Sequence, residues 1–310
     1  MGARHCARLL AWCPRRRPRA LDLKPIILVG AARSGTKALR DALAMASGVD
    51  AVPYDVTYVW RYGNDAMPHD RQLPAHAKPK TSRMVHTFFR RYANADGRLV
   101  EKTVGTSLRV GYVSTLMPGA SFVHLIRDGV DVAESSRRQW LAPAELGYLR
   151  EKVRHFPLRL LASYGRRFVR WNVAQRLRGD DRVASWGPRY PGMDSDVVTE
   201  RLLTVCARQW ANSVTLALAD FRDYQIPHVE VRYEDLVADP ARVLRLVLEF
   251  SGLEPRDEDL RRGAATITGG HGSRSSLDEA ELRLLDTEIG ELQVELGYRR
   301  PLDEIRSPDA

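Results

Sequence analysis

The residues best equipped for chemistry are cations set beside small, flexible neighbours. Arg33, Ser34, Gly35, Thr36 and Lys37 follow the apolar run Ile26, Ile27, Leu28, Val29 and the turn residue Gly30. Strand, short loop, helix is the order in which backbone N–H groups and the positive end of a helix dipole converge on an anion, and Arg33 and Lys37 add fixed charge at that point. A phosphate-sized group is the natural ligand. Gly30 and Gly35 have the spacing of the nucleotide-triphosphatase loop G-x-x-x-x-G-K-[ST], but Thr36 and Lys37 stand in the reverse order, which misplaces that motif's lysine and metal-binding hydroxyl. On this stretch alone, a plain strand–turn–helix with solvated cations remains an equally simple description.

A second apolar run, Ser121 to Ile126, delivers Arg127 and Asp128 to its carboxyl end, and the helix expected from Gly129 to Trp140 carries Ser135. Parallel pairing would place Arg127 on the same sheet edge as the first loop. Arg98 to Thr103 (RLVEKT) reads as a strand ending in Glu101 and Lys102, either a ligand-facing edge or a charged loop end. Asp55 is an isolated acid in the mixed β-branched and aromatic stretch 48–62. His124, inside the second apolar run, is expected to be a satisfied core histidine, and His69 and His76 to lie on the surface.

The elements that must hold these residues alternate. Helices are expected at 36–46, 81–92, 107–117, 129–140, 198–221 and 241–250, and a further strand at His228–Tyr233, with Glu234–Pro240 as a turn. Residues 63–80 read as a long loop. The pattern predicts an α/β fold: a parallel sheet resembling that of the phosphate-loop proteins, flanked by helices. Residues 1–24 form a basic segment expected to be disordered, 25–300 one domain and 301–310 a polar tail. The alternation breaks at about 141–200, read as a helical insertion or lid whose aromatics pack it onto the domain. The Gly- and Ser-rich stretch 266–281, with Arg274 at its centre, suits a phosphate-binding loop or a mobile linker.

With 310 residues, 44% of them hydrophobic, the chain can build a sizeable core. Its net charge of +9 favours anionic partners. Cys6, Cys13 and Cys206 are too few and too far apart for a disulfide framework or a metal site, which suggests a reduced, cytoplasmic protein. Leu9 to Trp12 is too short an apolar patch for a membrane span.

Taken together, the two loops resemble the sulfotransferases that use 3′-phosphoadenosine 5′-phosphosulfate (PAPS), over residues 25–283. PIILVGAARSGTKAL is similar to the family's 5′-phosphosulfate loop and FVHLIRDGVDVAESSRRQW to its 3′-phosphate segment. VRYEDLVADPARVLRLVLEFSGL is similar to a stretch of the bacterial and Golgi-type, carbohydrate-directed branch. The resemblance implies that PAPS is the donor and that no metal is needed. Arg33, Ser34, Gly35, Thr36 and Lys37 would bind its 5′ side, Arg127 and Ser135 its 3′-phosphate, and Arg274 would close over it. Arg33 and Lys102 would stabilise the transferred charge. Asp55 matches the spacing of that branch's glutamate base, although its side chain is one methylene shorter; Glu101 is the next acid to consider. The acceptor implied is a small molecule, or a carbohydrate or glycolipid hydroxyl, with peripheral membrane contact through the basic N-terminus and no nucleic acid. Two alternatives are a metal-dependent nucleotide kinase and a basic protein that binds nucleic acid or membrane surfaces.

Overall fold

The computed structural model describes residues 22–142, 186–269 and 276–303. Within them five strands pair side by side, all parallel: β1 (Lys24–Val29), β2 (Asp50–Ala51), β3 (Arg98–Lys102), β4 (Ser121–Ile126) and β5 (His228–Arg232), in the order β2-β3-β1-β4-β5. β1 lies in the middle because Pro25–Val29 is buried on both faces, as an uninterrupted apolar run in a parallel sheet should be. The register sets Leu28 beside Lys102 and Val29 beside His124. The carboxyl ends of β3 and β1 therefore finish within a residue of each other, and β4 runs two residues further, to Ile126.

Helices cover both faces. In chain order they are α1 (Thr36–Leu43), α2 (Thr57–Trp60), α3 (Pro79–Phe89), α4 (Val110–Leu116), α5 (Gly129–Leu141), α6 (Met193–Thr199), α7 (Leu202–Asp223), α8 (Tyr233–Ala238), α9 (Pro240–Phe250), α10 (Asp257–Ala264) and α11 (Glu279–Glu295). Leu39 and Leu43 of α1, with Leu244 and Val247 of α9 and Leu260 of α10, pack on Ile26, Leu28, Val100 and Val123. The opposite face, Ile27, Val29, Leu99 and Phe122, meets α2, α3, α4 and the Ala217–Phe221 end of α7. α5 packs on α7 in a third cluster built around Trp210, Leu285 and Ile289. The chain leaves β1 toward one face and β4 toward the other, so a crevice opens between their carboxyl ends, the usual ligand position in such sheets.

The α/β parallel architecture is as expected, but several local readings are corrected. Tyr233–Ala238 is a helix, not a turn, with Glu234 and Asp235 in its first turn, where acidic side chains suit the dipole. Asp239 then caps α9 by accepting from the N–H of Arg242, and Pro240 occupies a first-turn position where its missing donor costs nothing. The helix expected at 107–117 divides into a 3-10 turn, Val104–Leu108, and α4, separated at Arg109, whose side chain is fully buried. α7 begins later than expected, at Leu202, after the separate helix α6. α10 and α11 had no counterpart in the sequence reading. Most of the helical insertion expected at about 141–200, residues 143–185, lies outside the described residues. At the far end of that insertion Tyr190 is buried, and its ring packs into the third cluster as expected.

His124 is a core residue, as expected, but not a satisfied one. Neither ring nitrogen has a hydrogen-bond partner among the described residues, and burial pushes its pKa down to about 3, keeping the ring neutral.

Candidate active site

The loop after β1 is shaped by two close approaches. A Cβ at Gly30 would stand 2.6 Å from the carbonyl oxygen of Leu125, so only glycine lets β1 leave the sheet directly against β4. Gly35 has a φ of 91°, and its Cβ would lie 2.4 Å from the ring of Tyr233. Arg33 also sits in the left-handed region, at φ 69°, a conformation uncommon for a residue with a side chain. Thr36 and Lys37 open α1. Thr36 is buried with its methyl directed at Gly30, while Lys37 is exposed.

That backbone brings the first loop onto the second. Arg33 Nε donates to Ser135 Oγ at 3.0 Å, across 102 residues of sequence, and Arg127 Nη1 donates to the carbonyl of Arg33 at 3.2 Å. Arg127 is held from three further sides: its guanidinium lies 4.2 Å from the centre of the Tyr233 ring, Asp131 stands 3.5 Å away, and its carbonyl accepts from Trp210 Nε1. Asp128 caps α5 by accepting from Val130 and Asp131, and Gln293 of α11 braces it. Two polar atoms at this edge, Ser34 Oγ and Arg127 Nε, are buried with no hydrogen-bond partner among the described residues. Unpartnered donors beside a glycine loop suit an anion with several oxygens.

At the end of β3 lies a second polar group. Lys102 Nζ donates to Asp55 Oδ1 at 3.0 Å, with both side chains largely shielded. Beneath this pair Thr103 ties the two segments together, accepting from the N–H of Val56 at 2.9 Å and donating its own proton to Glu101. Glu101 is wholly buried, with Trp60 Nε1 3.5 Å from the same oxygen. Burial, and next the nearby charge of Asp55, push its pKa up to about 7 against the opposing hydrogen bond from Thr103.

The structure thus joins Arg33, Arg127 and Ser135 directly and pairs Asp55 with Lys102. Ser34, Gly35, Thr36 and Lys37 lie in the connecting loop. Arg274 lies outside the described residues; Ser276, two positions on, donates to Glu134 at 3.0 Å, the neighbour of Ser135 on α5. Sequence reasoning missed Tyr233, which touches both loops. Its signal was present in the VRYEDL stretch, where it directly follows β5.

The model of the sulfotransferase family matches residues 25–185, more than half of the chain. The chain belongs to the sulfotransferase family. This bears out the resemblance to the PAPS-dependent enzymes on which the sequence reading rested. Among solved structures, sulfotransferase STF9 from Mycobacterium avium is 12% identical, with 91% of this chain and 80% of that one covered and a TM-score of 0.53, a likeness of fold. A sulfotransferase from Alicyclobacillus acidocaldarius aligns at 16% identity, 89% and 96% coverage and a TM-score of 0.45. Mouse sulfotransferase SULT7A1 complexed with PAP aligns at 12% identity, 88% and 86% coverage and a TM-score of 0.43. No curated protein matches the sequence. Among the described residues no helix is long and apolar enough to cross a membrane.

Proposed function

We infer that this sulfotransferase moves a sulfuryl group from PAPS to a hydroxyl of a carbohydrate or glycolipid-like acceptor. The observation that carries the donor assignment is the contact of Arg33 with Ser135 beneath Arg127, which sets two anion-binding groups side by side at the carboxyl ends of β1 and β4. A donor with phosphate at both the 3′ and 5′ positions needs such a pair, whereas ATP does not. The residues present fit it: Ser34, Gly35, Thr36 and Lys37 for the 5′ side, Arg127 and Ser135 for the 3′ side. PAPS supplies the activated sulfuryl group. The cations Arg33, Lys37 and Lys102 would stabilise the negative charge that gathers as the group departs, the main work in transfer between two oxygens. Asp55, oriented by Lys102, would accept the proton of the attacking hydroxyl. Arg274 would close over the donor, a role supported by the tether of Ser276 beside Ser135. In this reading 25–300, joined in the structure by the buried Leu23 and by Lys24 at the start of β1, is the catalytic domain of a cytoplasmic enzyme, and the 141–200 insertion shapes access to it. The kinase alternative is disfavoured by a buried Thr36 and an exposed Lys37, the reverse of what Walker-type chemistry needs.

Calorimetry with adenosine 3′,5′-bisphosphate and AMP tests this. The bisphosphate should bind far more tightly, and Arg127→Ala should weaken it by about 1.5–3 kcal/mol while changing AMP much less. Equal affinities for the two nucleotides would sink the assignment. Turnover with PAPS should survive EDTA; complete loss restored by Mg²⁺ would return the kinase reading.

A further inference from the structure

From Arg71 to Ala95 the chain contains no acidic residue. Arg71, the first residue of that stretch, is taken up by Asp220, and the structure gathers the lysines and arginines that follow into one stripe. Thr81, Val85, Phe88 and Phe89 form the buried side of α3, so Lys80, Arg83 and Arg90, three and seven positions apart, share the opposite side, with Arg91 following. These four and Lys78 are exposed, and none has an ion-pair partner among the described residues. Arg245 and Arg283, exposed elsewhere on helices, are by contrast paired with Asp257 and Glu279. The stripe runs about 16 Å along the helix.

Its ends give it direction. Lys78 Nζ donates to the carbonyl of Gly63 at 2.9 Å, and a Cβ at Gly63 would lie 2.5 Å from Lys80 Cε, so both lysines cover the turn that follows α2. α2 begins two residues after Asp55. At the far end, beyond Arg91, the N–H of Lys24 donates to the carbonyl of Gly97, where the chain enters β1. The stripe carries no exposed large apolar side chain that could enter a lipid layer.

We propose that this stripe docks a polyanionic stretch of the acceptor, a carbohydrate chain bearing carboxylate or sulfate groups, laid along α3 so that one hydroxyl reaches Asp55 and Lys102. The proposal rests on the carbohydrate reading above and narrows it to acidic chains. Charge complementarity favours this occupant, because a row of unpaired cations without apolar neighbours matches an extended polyanion.

The test compares the full chain with a variant carrying Lys80→Ser, Arg83→Ser, Arg90→Ser and Arg91→Ser. Binding of dextran sulfate, polygalacturonate, neutral dextran and phosphatidylserine-containing vesicles is measured at low and high salt, with adenosine 3′,5′-bisphosphate titrated separately. The expected result is polyanion binding that weakens with salt, falls about tenfold or more in the variant, and is absent for neutral dextran, with bisphosphate affinity unchanged. Equal polyanion binding by the two proteins, no polyanion binding at all, or a loss confined to vesicles would overturn the proposal. Failure of bisphosphate binding in the unmodified protein would strike the donor assignment instead and leave the polyanion result standing.

Discussion

Asp55 and Glu101 are two carboxylates on either side of Thr103, and their surroundings divide their roles. Asp55 keeps partial access to solvent and an ion pair with Lys102, while Glu101 is sealed beneath it. Asp55→Asn preserves shape and the contact with Lys102, so donor affinity should hold while kcat falls by about 10²–10⁴, the worth of a positioned base. A variant with near wild-type kcat would remove Asp55 from the mechanism. Glu101 makes a prediction about stability. Its folded pKa of about 7 lies above the ordinary carboxylate value of 4.5, so the native state holds the proton more tightly than the unfolded chain. The stabilisation this provides is fully present below pH 4.5 and is lost as pH rises to about 7, an effect of up to about 3 kcal/mol. Glu101→Gln should flatten that part of the Tm-against-pH curve, and identical curves for the two proteins would refute it.

At the scale of elements, the site depends on how closely a loop and a helix approach. Gly35 lies under the ring of Tyr233, the first residue of α8, and the same ring supports Arg127. Gly35→Ala forces a left-handed alanine and pushes that ring away from its place beside Arg127. Bisphosphate affinity should fall about tenfold or more, as for a lost contact to a charged group, and stability by about 1–3 kcal/mol. Gly192, at the start of α6, provides the control: its φ of 92° is nearly the same, but nothing lies within 4 Å of its added Cβ. Gly192→Ala should cost about 1–2 kcal/mol from the backbone alone and leave nucleotide binding intact. Equal binding losses in the two variants would show that backbone strain, rather than the Tyr233 contact, controls the site.

Across the whole molecule, the long segment between α2 and α3 is fastened by buried charge. Arg71 grips both oxygens of Asp220 on α7 at 2.8 Å, and Asp220 also accepts from the N–H of Gly111 on α4. Asp70 is the neighbouring anchor, accepting from Arg61 and from the N–H of Arg189. One carboxylate therefore joins a loop and two helices, and because Asp220 is only 2% exposed its removal leaves partners that water reaches poorly. Asp220→Ala should destabilise the protein by about 3 kcal/mol, read as a lower denaturation midpoint. Asp223→Ala, three residues on, breaks only the exposed pair with Arg222 and should change stability by less than about 1 kcal/mol. If the two losses were alike, the anchoring role of Asp220 would be wrong.

Much of this was legible in the sequence because it depends on neighbours along the chain. An apolar run followed by a short turn and a helix names itself, and two such units, turning at Gly30 and at Arg127, were enough to indicate a parallel sheet and the edge that carries the candidate site. The pairing of Arg33 with Ser135 was not legible, since it depends on the left-handed turn at Arg33 and on β1 lying against β4. Local pattern also misled at Tyr233–Ala238, where a short polar tract looks like a turn yet is helical over Leu236, a buried residue of the core beneath α1 and α9. Glu101 and Lys102 are adjacent charges at a strand end, and only the pleat and the packing of Trp60 decided which is buried and which meets Asp55. Spacing along the chain determined which residues could bind an anion, while contacts across the chain decided their partners, because burial and ion pairing depend on separation in space rather than in sequence.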